Sequence, residues 1–231
     1  MTTTLITGAN KGLGFETARR LIALGHTVYI GARDPERGQE AASRLGARFV
    51  QIDVTDEDSV KAAAEVVRRD AGSLDVLINN AGIAGAGKPV GEVTAQDMQT
   101  AYDTNVFGVV RVTHAFLPLL ETGATAVVVN VSSGLGSLAA TTDPDRVEYH
   151  VALLDYNSSK TALVMITSQY AKAFPAIRFN AVDPGYTATD LNGHQGTSTV
   201  EESADIIVRM ATIGADGPTG GFFDKDGPVV W

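Results

Sequence analysis

Short apolar runs rich in β-branched residues alternate along the chain with longer segments that carry apolar residues at helical spacing. The runs are almost continuously apolar, which is typical of strands covered by helices on both faces of a sheet. They lie at Thr3 to Thr7, Thr27 to Gly31, Arg48 to Ile52, Leu74 to Ile78, Ala124 to Val131 and Ile177 to Val182. This alternation predicts repeated βαβ units around a parallel sheet.

The helical segments carry start signals such as Thr55 followed by Asp56, because acidic groups are stabilised at the positive end of the helix dipole. Helices are predicted at Gly12 to Leu24, Pro35 to Leu45, Asp56 to Asp70, Ala95 to Leu120, Asp155 to Phe174 and Val200 to Ala211. The segment Gly214 to Trp231 is expected to hold a final short strand. We therefore predict an α/β protein whose residues 1–231 form one single-domain Rossmann fold. Its doubly wound parallel sheet should have about seven strands, with helices on both faces.

Composition narrows the classes of function. The chain has 231 residues, a formal net charge of −9 and no cysteine, which excludes disulfides and thiolate chemistry. Its four histidines are scattered, so no metal site is predicted. The negative charge disfavours nucleic acid and anionic membranes as partners, and no apolar run approaches the roughly 18 residues of a membrane span. The first residues do not resemble a signal peptide, so we expect a cytoplasmic protein.

A glycine-rich turn, TGANKGLG at residues 7–14, joins the first strand to the first helix. Glycines permit a tight turn and close approach of a pyrophosphate, which the N–H groups and dipole of the helix N-terminus then stabilise. A purely structural turn is the alternative, since glycine patterns alone are weak signals. The position at the first strand-to-helix junction favours cofactor binding.

The end of the second strand bears on the choice between NAD and NADP. A carboxylate there would bind the ribose 2′-hydroxyl of NAD, whereas a cation would bind the 2′-phosphate of NADP. This chain has the neutral Ala32 followed by Arg33, and Lys11 lies in the nearby glycine turn. These cations favour NADP. The alternative is that Arg33 is only a solvated surface residue and that Asp34 binds an NAD ribose.

Tyr156 and Lys160 are four positions apart on one face of a predicted helix. A tyrosine that exchanges a proton near neutral pH needs its pKa lowered from about 10 by up to about three units, equivalent to about 4 kcal/mol. A neighbouring ammonium can supply that stabilisation. A Tyr and Lys pair at this spacing is nevertheless too common to decide the function by itself.

Several motifs in register make a family resemblance specific. They are TGANKGLG at 7–14, GARDPERGQ at 31–39, Asp53, NNAG at 79–82, Asn105, NVSS at 130–133, YNSSK at 156–160 and PGYTAT at 184–189. Over nearly its full length the chain resembles the short-chain dehydrogenase/reductase family, and in particular its NADPH-dependent carbonyl reductases. The resemblance implies reversible hydride transfer between the cofactor and a ketone or aldehyde.

The resemblance also implies a catalytic set. Tyr156 would be the general acid in reduction and would give its proton to the carbonyl oxygen. Ser133 would hold the same oxygen by a hydrogen bond, with Ser132 as a structural neighbour. Lys160 would bind the nicotinamide ribose and lower the pKa of Tyr156. Asn105 would shape its helix and position a water in a proton relay.

The implied cofactor is NADPH or NADP+, and the family's pattern indicates where this chain would contact it. The expected contacts are Gly8, Asn10, Lys11, Gly12, Leu13, Gly14, Arg33, Asp53, Val54, Asn80, Ala81, Gly82, Tyr156, Lys160, Pro184, Gly185, Thr187 and Thr189. Asn79 is expected to be structural. Asp183 stands at a position where the family varies, so no role is assigned to it.

One departure from the family is a longer stretch between Ser133 and Tyr156, which implies an insertion around residues 139–154. Family dimers and tetramers often pack the helix with Tyr and Lys against a partner, so a homo-oligomer is expected while a monomer stays open. The insertion, with His150, could instead wall the substrate pocket. His150 is a weak alternative as a catalytic base, given Tyr156.

Two other functions would account for part of this pattern. A non-catalytic NADP sensor would share the fold but would have no need of a proton donor. A methyltransferase would share the glycine turn but would not explain Lys11, Arg33 and YNSSK together. The substrate of a reductase is expected to be a small or medium carbonyl compound, because the segment from Tyr186 to Thr199 is short and suggests an open site.

Overall fold

The computed structural model describes residues 2–231, and within them the strands form one parallel sheet in the order β3-β2-β1-β4-β5-β6-β7. The strands are β1 (Thr3–Thr7), β2 (Thr27–Ala32), β3 (Arg48–Gln51), β4 (Val76–Asn79), β5 (Val127–Val131), β6 (Arg178–Val182) and β7 (Phe222–Phe223). The strand order reverses between β1 and β4, which opens a crevice at the carboxyl edge of the sheet. The predicted doubly wound parallel sheet is confirmed.

Helices cover both faces of the sheet, as the continuous apolar strands predict. They are α1 (Gly12–Ala23), α2 (Pro35–Leu45), α3 (Glu57–Ala71), α4 (Ala95–Tyr102), α5 (Gly108–Leu120), α6 (Leu138–Thr142), α7 (Leu154–Ala173) and α8 (Val200–Ala211). One hydrophobic layer packs Phe116 of α5 and Val67 of α3 against the sheet. The opposite layer packs Leu21 of α1 and Ile207 of α8. None of the helices formed by residues 2–231 has the length and hydropathy that a membrane crossing requires.

The helix predicted from Ala95 to Leu120 is interrupted, so that prediction was wrong in its middle. Residues 103–107 form a π-helical turn between α4 and α5. Asn105 lies in this wide turn, and its side chain is anchored outside the helix, accepting from the Ile83 N–H and donating to the Ile83 carbonyl. A π-helical turn holds one residue more than an α-helical turn, and the side-chain hydrogen bonds of Asn105 stabilise it. A repeating apolar pattern in the sequence does not reveal such bonds.

Two predicted strands begin later than expected. The strands expected from Leu74 and Ala124 begin at Val76 and Val127. The Leu74 N–H bonds to the Leu119 carbonyl of α5, and the Ala124 N–H bonds to the Asp75 carboxylate. Both residues are therefore held in turns although their neighbours are apolar.

The expected insertion forms α6 and a 3₁₀ turn at 147–150.

A buried polar ladder crosses the middle of the sheet. Asn79 of β4 donates to the Asn130 side-chain oxygen of β5 at 2.9 Å, and Asn130 donates to the Thr167 hydroxyl of α7 at 2.8 Å. All three side chains are buried. Because unpaired buried amides are costly, the ladder fixes the register of these elements next to the site.

We expect Asn130→Ala to lower the free energy of unfolding by about 1–3 kcal/mol, since the buried Asn79 amide loses one of its two acceptors and the Thr167 hydroxyl loses its donor. Denaturant unfolding measures the change. Gln39→Ala on the exposed face of α2 is the control and should change stability by less than about 0.5 kcal/mol. An Asn130→Ala protein as stable as the control would show that the ladder contributes nothing.

Candidate active site

The residues expected to be catalytic meet at the carboxyl edge of the sheet. Ser133 follows β5, and Tyr156 and Lys160 lie in the first turns of α7. The Ser133 hydroxyl lies near enough to the Tyr156 phenol to lower the pKa of that phenol. The Lys160 Nζ donates to the Val131 carbonyl at 2.8 Å and lies 5.6 Å from the centre of the Tyr156 ring. A proton donor, a hydroxyl and a buried amine therefore form one cluster.

Asn105 joins this cluster through the start of α7. Its side-chain nitrogen donates to the Ser159 hydroxyl at 3.0 Å, and Ser159 donates in turn to the Tyr156 carbonyl at 2.7 Å. Ser132 donates to the Lys160 carbonyl at 3.1 Å, in keeping with its expected structural position. Asn105 is thus linked by hydrogen bonds to the backbone of Tyr156, and Ser132 is linked to the backbone of Lys160.

Asp155 is a member of the site that the sequence did not reveal. Its buried carboxylate accepts from the Ala86 N–H at 2.6 Å and from the Tyr156 N–H at 2.9 Å. It therefore fastens the loop after β4 to the beginning of α7. An acidic residue in the first turn of a helix is an ordinary capping signal, and its burial depends on the loop that folds over it.

The expected direction of the tyrosine pKa shift was wrong for this structure. Burial raises the pKa of Tyr156 to about 12, while the Ser133 hydroxyl opposes the rise. Burial also lowers the pKa of Lys160 to about 8. The site disfavours charge on both groups, and the ammonium lies over the ring and against a carbonyl, where its benefit to a phenolate is small.

The glycine turn is packed tightly against the loop after β4. A Cβ on Gly8 would lie 3.0 Å from the Ala81 Cα, and one on Gly14 would lie 2.6 Å from the Asn80 side-chain nitrogen. The Asn80 amide donates to the Thr7 and Gly8 carbonyls and so holds the turn. Gly8 also has a left-handed φ of 65°, which side chains rarely adopt.

The N-terminus of α1 has the donor set that a pyrophosphate requires. Lys11 precedes the helix without a side-chain cap, and the first turn carries no acidic residue. By contrast, Asp34 caps α2 and Asp56 caps α3 with carboxylate oxygens. The first N–H groups of α1 are therefore free of side-chain acceptors. The residues present fit the diphosphate of a dinucleotide.

The remaining expected cofactor residues border the same crevice. Asp53 follows β3 and binds the Thr55 N–H and hydroxyl, and the Arg33 charge helps lower its pKa. Val54 and Thr187 are buried. Thr189 packs near the glycine turn, since a Cβ on Gly12 would lie 3.7 Å from its methyl carbon. Of the other expected contacts, Asn10 and Leu13 follow β1, Gly82 follows β4, and Pro184 and Gly185 follow β6.

A basic cavity of about 290 Å³ lies beside the glycine turn. Its charged lining residues are three cations, Lys11, Arg37 and Arg44, and two carboxylates, Glu40 and Asp190. Lys11 is paired with Asp190 at 2.6 Å, which the sequence did not predict. The two arginines were also missed, although their spacing of seven places them on one face of α2. A larger cavity of about 490 Å³ lies at the opposite, amino edge of the sheet.

Asp34 has a structural task in this region. Its Oδ1 accepts from the Glu36 and Arg37 N–H groups at 3.1 Å each, and its Oδ2 lies 3.6 Å from Arg37. The carboxylate is therefore committed to the start of α2. This disfavours the alternative in which Asp34 binds an NAD ribose.

A doubly wound sheet with a glycine turn after β1 and a Ser, Tyr and Lys cluster at its carboxyl edge defines a dinucleotide-binding oxidoreductase. A family model for the short chain dehydrogenases matches residues 2–199, and the chain belongs to this family. Its members use nicotinamide cofactors.

The named relatives include reductases and dehydrogenases. The (-)-isopiperitenone reductase of Mentha piperita is 32% identical, with 96% of this chain and 96% of that protein aligned. Salutaridine reductase of Papaver bracteatum is 31% identical over 95% of this chain and 93% of that protein. A solved structure of NADPH-bound carbonyl reductase from chicken fatty liver is also similar. It has a TM-score of 0.88 and 31% identity, and the match covers 100% of this chain and 99% of that chain.

The burial of Lys160 should reduce stability in a pH-dependent way. Its folded pKa of about 8 lies below the ordinary 10.5, so the unfolded chain binds the extra proton between these values. The destabilisation is therefore fully present below about pH 8 and is lost as the pH rises towards 10.5. We expect Lys160→Met to raise the free energy of unfolding by about 2 kcal/mol at neutral pH, with a smaller gain at alkaline pH.

Urea unfolding without cofactor, at about pH 7 and about pH 10, measures this gain. Lys172→Met, at an exposed position of the same helix, is the matched control and should show no such pH dependence. A loss of stability in Lys160→Met at neutral pH would contradict the electrostatic assignment.

Proposed function

We propose that this protein is an NADPH-dependent carbonyl reductase that interconverts a ketone or aldehyde and the corresponding alcohol. The observation that carries the proposal is the meeting of Ser133, the Tyr156 phenol and buried Lys160 at the carboxyl edge, where the Lys160 Nζ lies 5.6 Å from the centre of the Tyr156 ring. Two neighbouring hydroxyls can both bind one carbonyl oxygen. The names of the relatives and the similar NADPH-bound structure support the same class of reaction.

In reduction, Tyr156 donates its proton to the carbonyl oxygen, and Ser133 holds that oxygen by a hydrogen bond. NADPH, when bound, supplies the hydride that adds to the carbonyl carbon. The raised pKa of Tyr156, about 12, keeps the phenol protonated at neutral pH. A phenol is still a stronger acid than an alcohol, so the transfer to the developing alkoxide is downhill. The site is therefore prepared for the acid role.

Lys160 and Asn105 support the tyrosine from two sides. Lys160, with a pKa of about 8, exchanges protons readily near neutral pH and can help return the proton to the phenolate. Asn105 holds the start of α7 through Ser159, so that the phenol keeps its direction. The bonds of Asn105 to Ile83 also set the position of the loop after β4.

The distribution of cations supports NADP over NAD. Arg37, Arg44 and Lys11 line the cavity beside the glycine turn, and Arg33 follows the end of β2, where the ribose of the adenosine would lie. Asp34, by contrast, is occupied as a helix cap. A 2′-phosphate would compete with Asp190 for Lys11, which is exposed and free to turn. The remaining residues of the crevice edge, including Asp53, Val54 and Thr189, would border the rest of the cofactor.

The insertion supports a substrate pocket beside Tyr156. It brings Glu148 next to Gly134, and its apolar Val147 is exposed at 77%, as is Leu138, immediately before it, at 64%. We propose small or medium carbonyl compounds with an apolar body as substrates. Cytoplasmic residence and a homo-oligomer stay predictions from the sequence.

Tyr156→Phe should reduce the turnover of ketones by at least about 100-fold, because the proton donor is removed while the ring remains. Binding of NADPH, followed by its fluorescence, should be nearly unchanged. Tyr170→Phe in the same helix is the control, since its ring stacks on Phe179 away from the site. Turnover by Tyr156→Phe at the wild-type rate would remove Tyr156 from the role of the acid.

Arg33→Ala should weaken NADPH binding by about tenfold or more and leave NADH binding nearly unchanged, because only NADPH carries the 2′-phosphate. Titration of both cofactors by fluorescence measures the two dissociation constants. Arg69→Ala, an exposed change on α3, serves as the control. Equal weakening for both cofactors would count against recognition of the phosphate by Arg33.

A further inference from the structure

Asp183 is held firmly at the centre of the carboxyl edge. It follows β6, and its N–H bonds to the Phe223 carbonyl of β7 at 2.8 Å. The preceding Val182 carbonyl accepts from the Ser132 N–H at 2.7 Å. The backbone of Asp183 is therefore fixed from both neighbouring strands, and its partly buried side chain has a defined place.

The Asp183 carboxylate connects two loops of the site. It accepts from the Gly185 N–H at 2.9 Å, and the Gly134 backbone helps to lower its pKa. A Cβ on Gly134 would lie 2.8 Å from the Asp183 Oδ2, so a glycine is needed for this approach. One loop carries Ser133 and the other begins with Pro184. The carboxylate thus sets the distance between the serine hydroxyl and the turn proposed to border the cofactor.

The same carboxylate is the charged group that acts on both Lys160 and Tyr156. Its negative charge favours the ammonium of Lys160 and disfavours the phenolate of Tyr156. Asp183 is itself faced by Glu148 from the insertion and by Asp224 after β7, which together with burial raise its own pKa. Glu148 is paired with Arg146, so most of its charge is balanced locally.

We propose that Asp183 is a positioning residue that ties the Ser133 loop to the Pro184–Gly185 turn and holds a negative charge beside Lys160 and Tyr156. This inference deepens the proposed reductase function and rests on it for its catalytic meaning. The charge keeps Tyr156 in the protonated form that reduction requires and keeps buried Lys160 charged. It opposes the phenolate that alcohol oxidation requires, so the residue favours the reductive direction.

The direct test is the titration of Lys160 by nuclear magnetic resonance, with carbon-13 at Cε of the lysines and no cofactor or substrate. Of the six lysines in the sequence, Lys160 is buried and the other five are exposed. Its signal is assigned by its absence in Lys160→Met. The wild-type midpoint should lie near 8, and Asp183→Asn should lower it by about one pH unit.

Asp224→Asn is the matched control, because it removes a charge that acts on Asp183 but is not among the groups that shift Lys160 or Tyr156. The Lys160 midpoint should be unchanged in this variant. If Asp183→Asn does not fold, Asp183→Ser, which is also neutral, replaces it. A Lys160 midpoint in the neutral variant equal to the wild-type value would overturn the proposal.

Turnover gives the second readout. In Asp183→Asn the alkaline limb of the pH profile for ketone reduction should move to lower pH, because the phenol loses its proton more easily. A purely structural residue would lower kcat without moving that limb, and this result would also overturn the proposal. If the wild-type protein reduces no carbonyl compound, the proposed function fails, and the lysine titration still decides the role of Asp183.

Discussion

The contact between the Lys160 ammonium and the Val131 carbonyl, beneath the Tyr156 ring, is the interaction around which the site is organised. Burying an amine costs several kcal/mol unless it is well paired, and here one carbonyl and one carboxylate charge compensate only in part. The protein tolerates this cost because two hydrophobic layers on either side of the sheet supply the stability. A destabilising group retained at a crevice is typical of residues kept for chemistry.

The topology explains why motifs far apart in sequence meet. Parallel strands all point their carboxyl ends to one edge, so the turns after β1, β4, β5 and β6 share one crevice. Close packing then sets the details. Gly14 admits the Asn80 amide that holds the glycine turn, and Gly134 admits the Asp183 carboxylate that joins two other loops. Side chains at either glycine would separate loops that must act together.

The sequence was sufficient for the sheet, the positions of the helices and the meeting of Ser133, Tyr156 and Lys160, because periodicity and motif order are local signals that the topology assembles. It was insufficient for the π-helical turn, since Asn105 fixes that turn through Ile83, a partner distant in sequence. The pairing of Lys11 with Asp190 also joins distant segments. The tyrosine pKa depended on burial and on Asp183, neither of which a spacing of four residues reports.

Burial and charge at this edge act together on the direction of proton transfer. Burial disfavours charge on both Tyr156 and Lys160, and a neutral lysine would return a proton to the phenolate poorly. The Asp183 charge opposes the effect of burial on the pKa of Lys160 and reinforces the effect of burial on the pKa of Tyr156. One carboxylate therefore favours both the protonated phenol and the charged amine. Moving Asp183 away would improve the site for oxidation and impair it for reduction. The placement of this single charge, held by the Gly185 N–H and packed against Gly134, thus links the loop geometry to the chemistry that the site can perform.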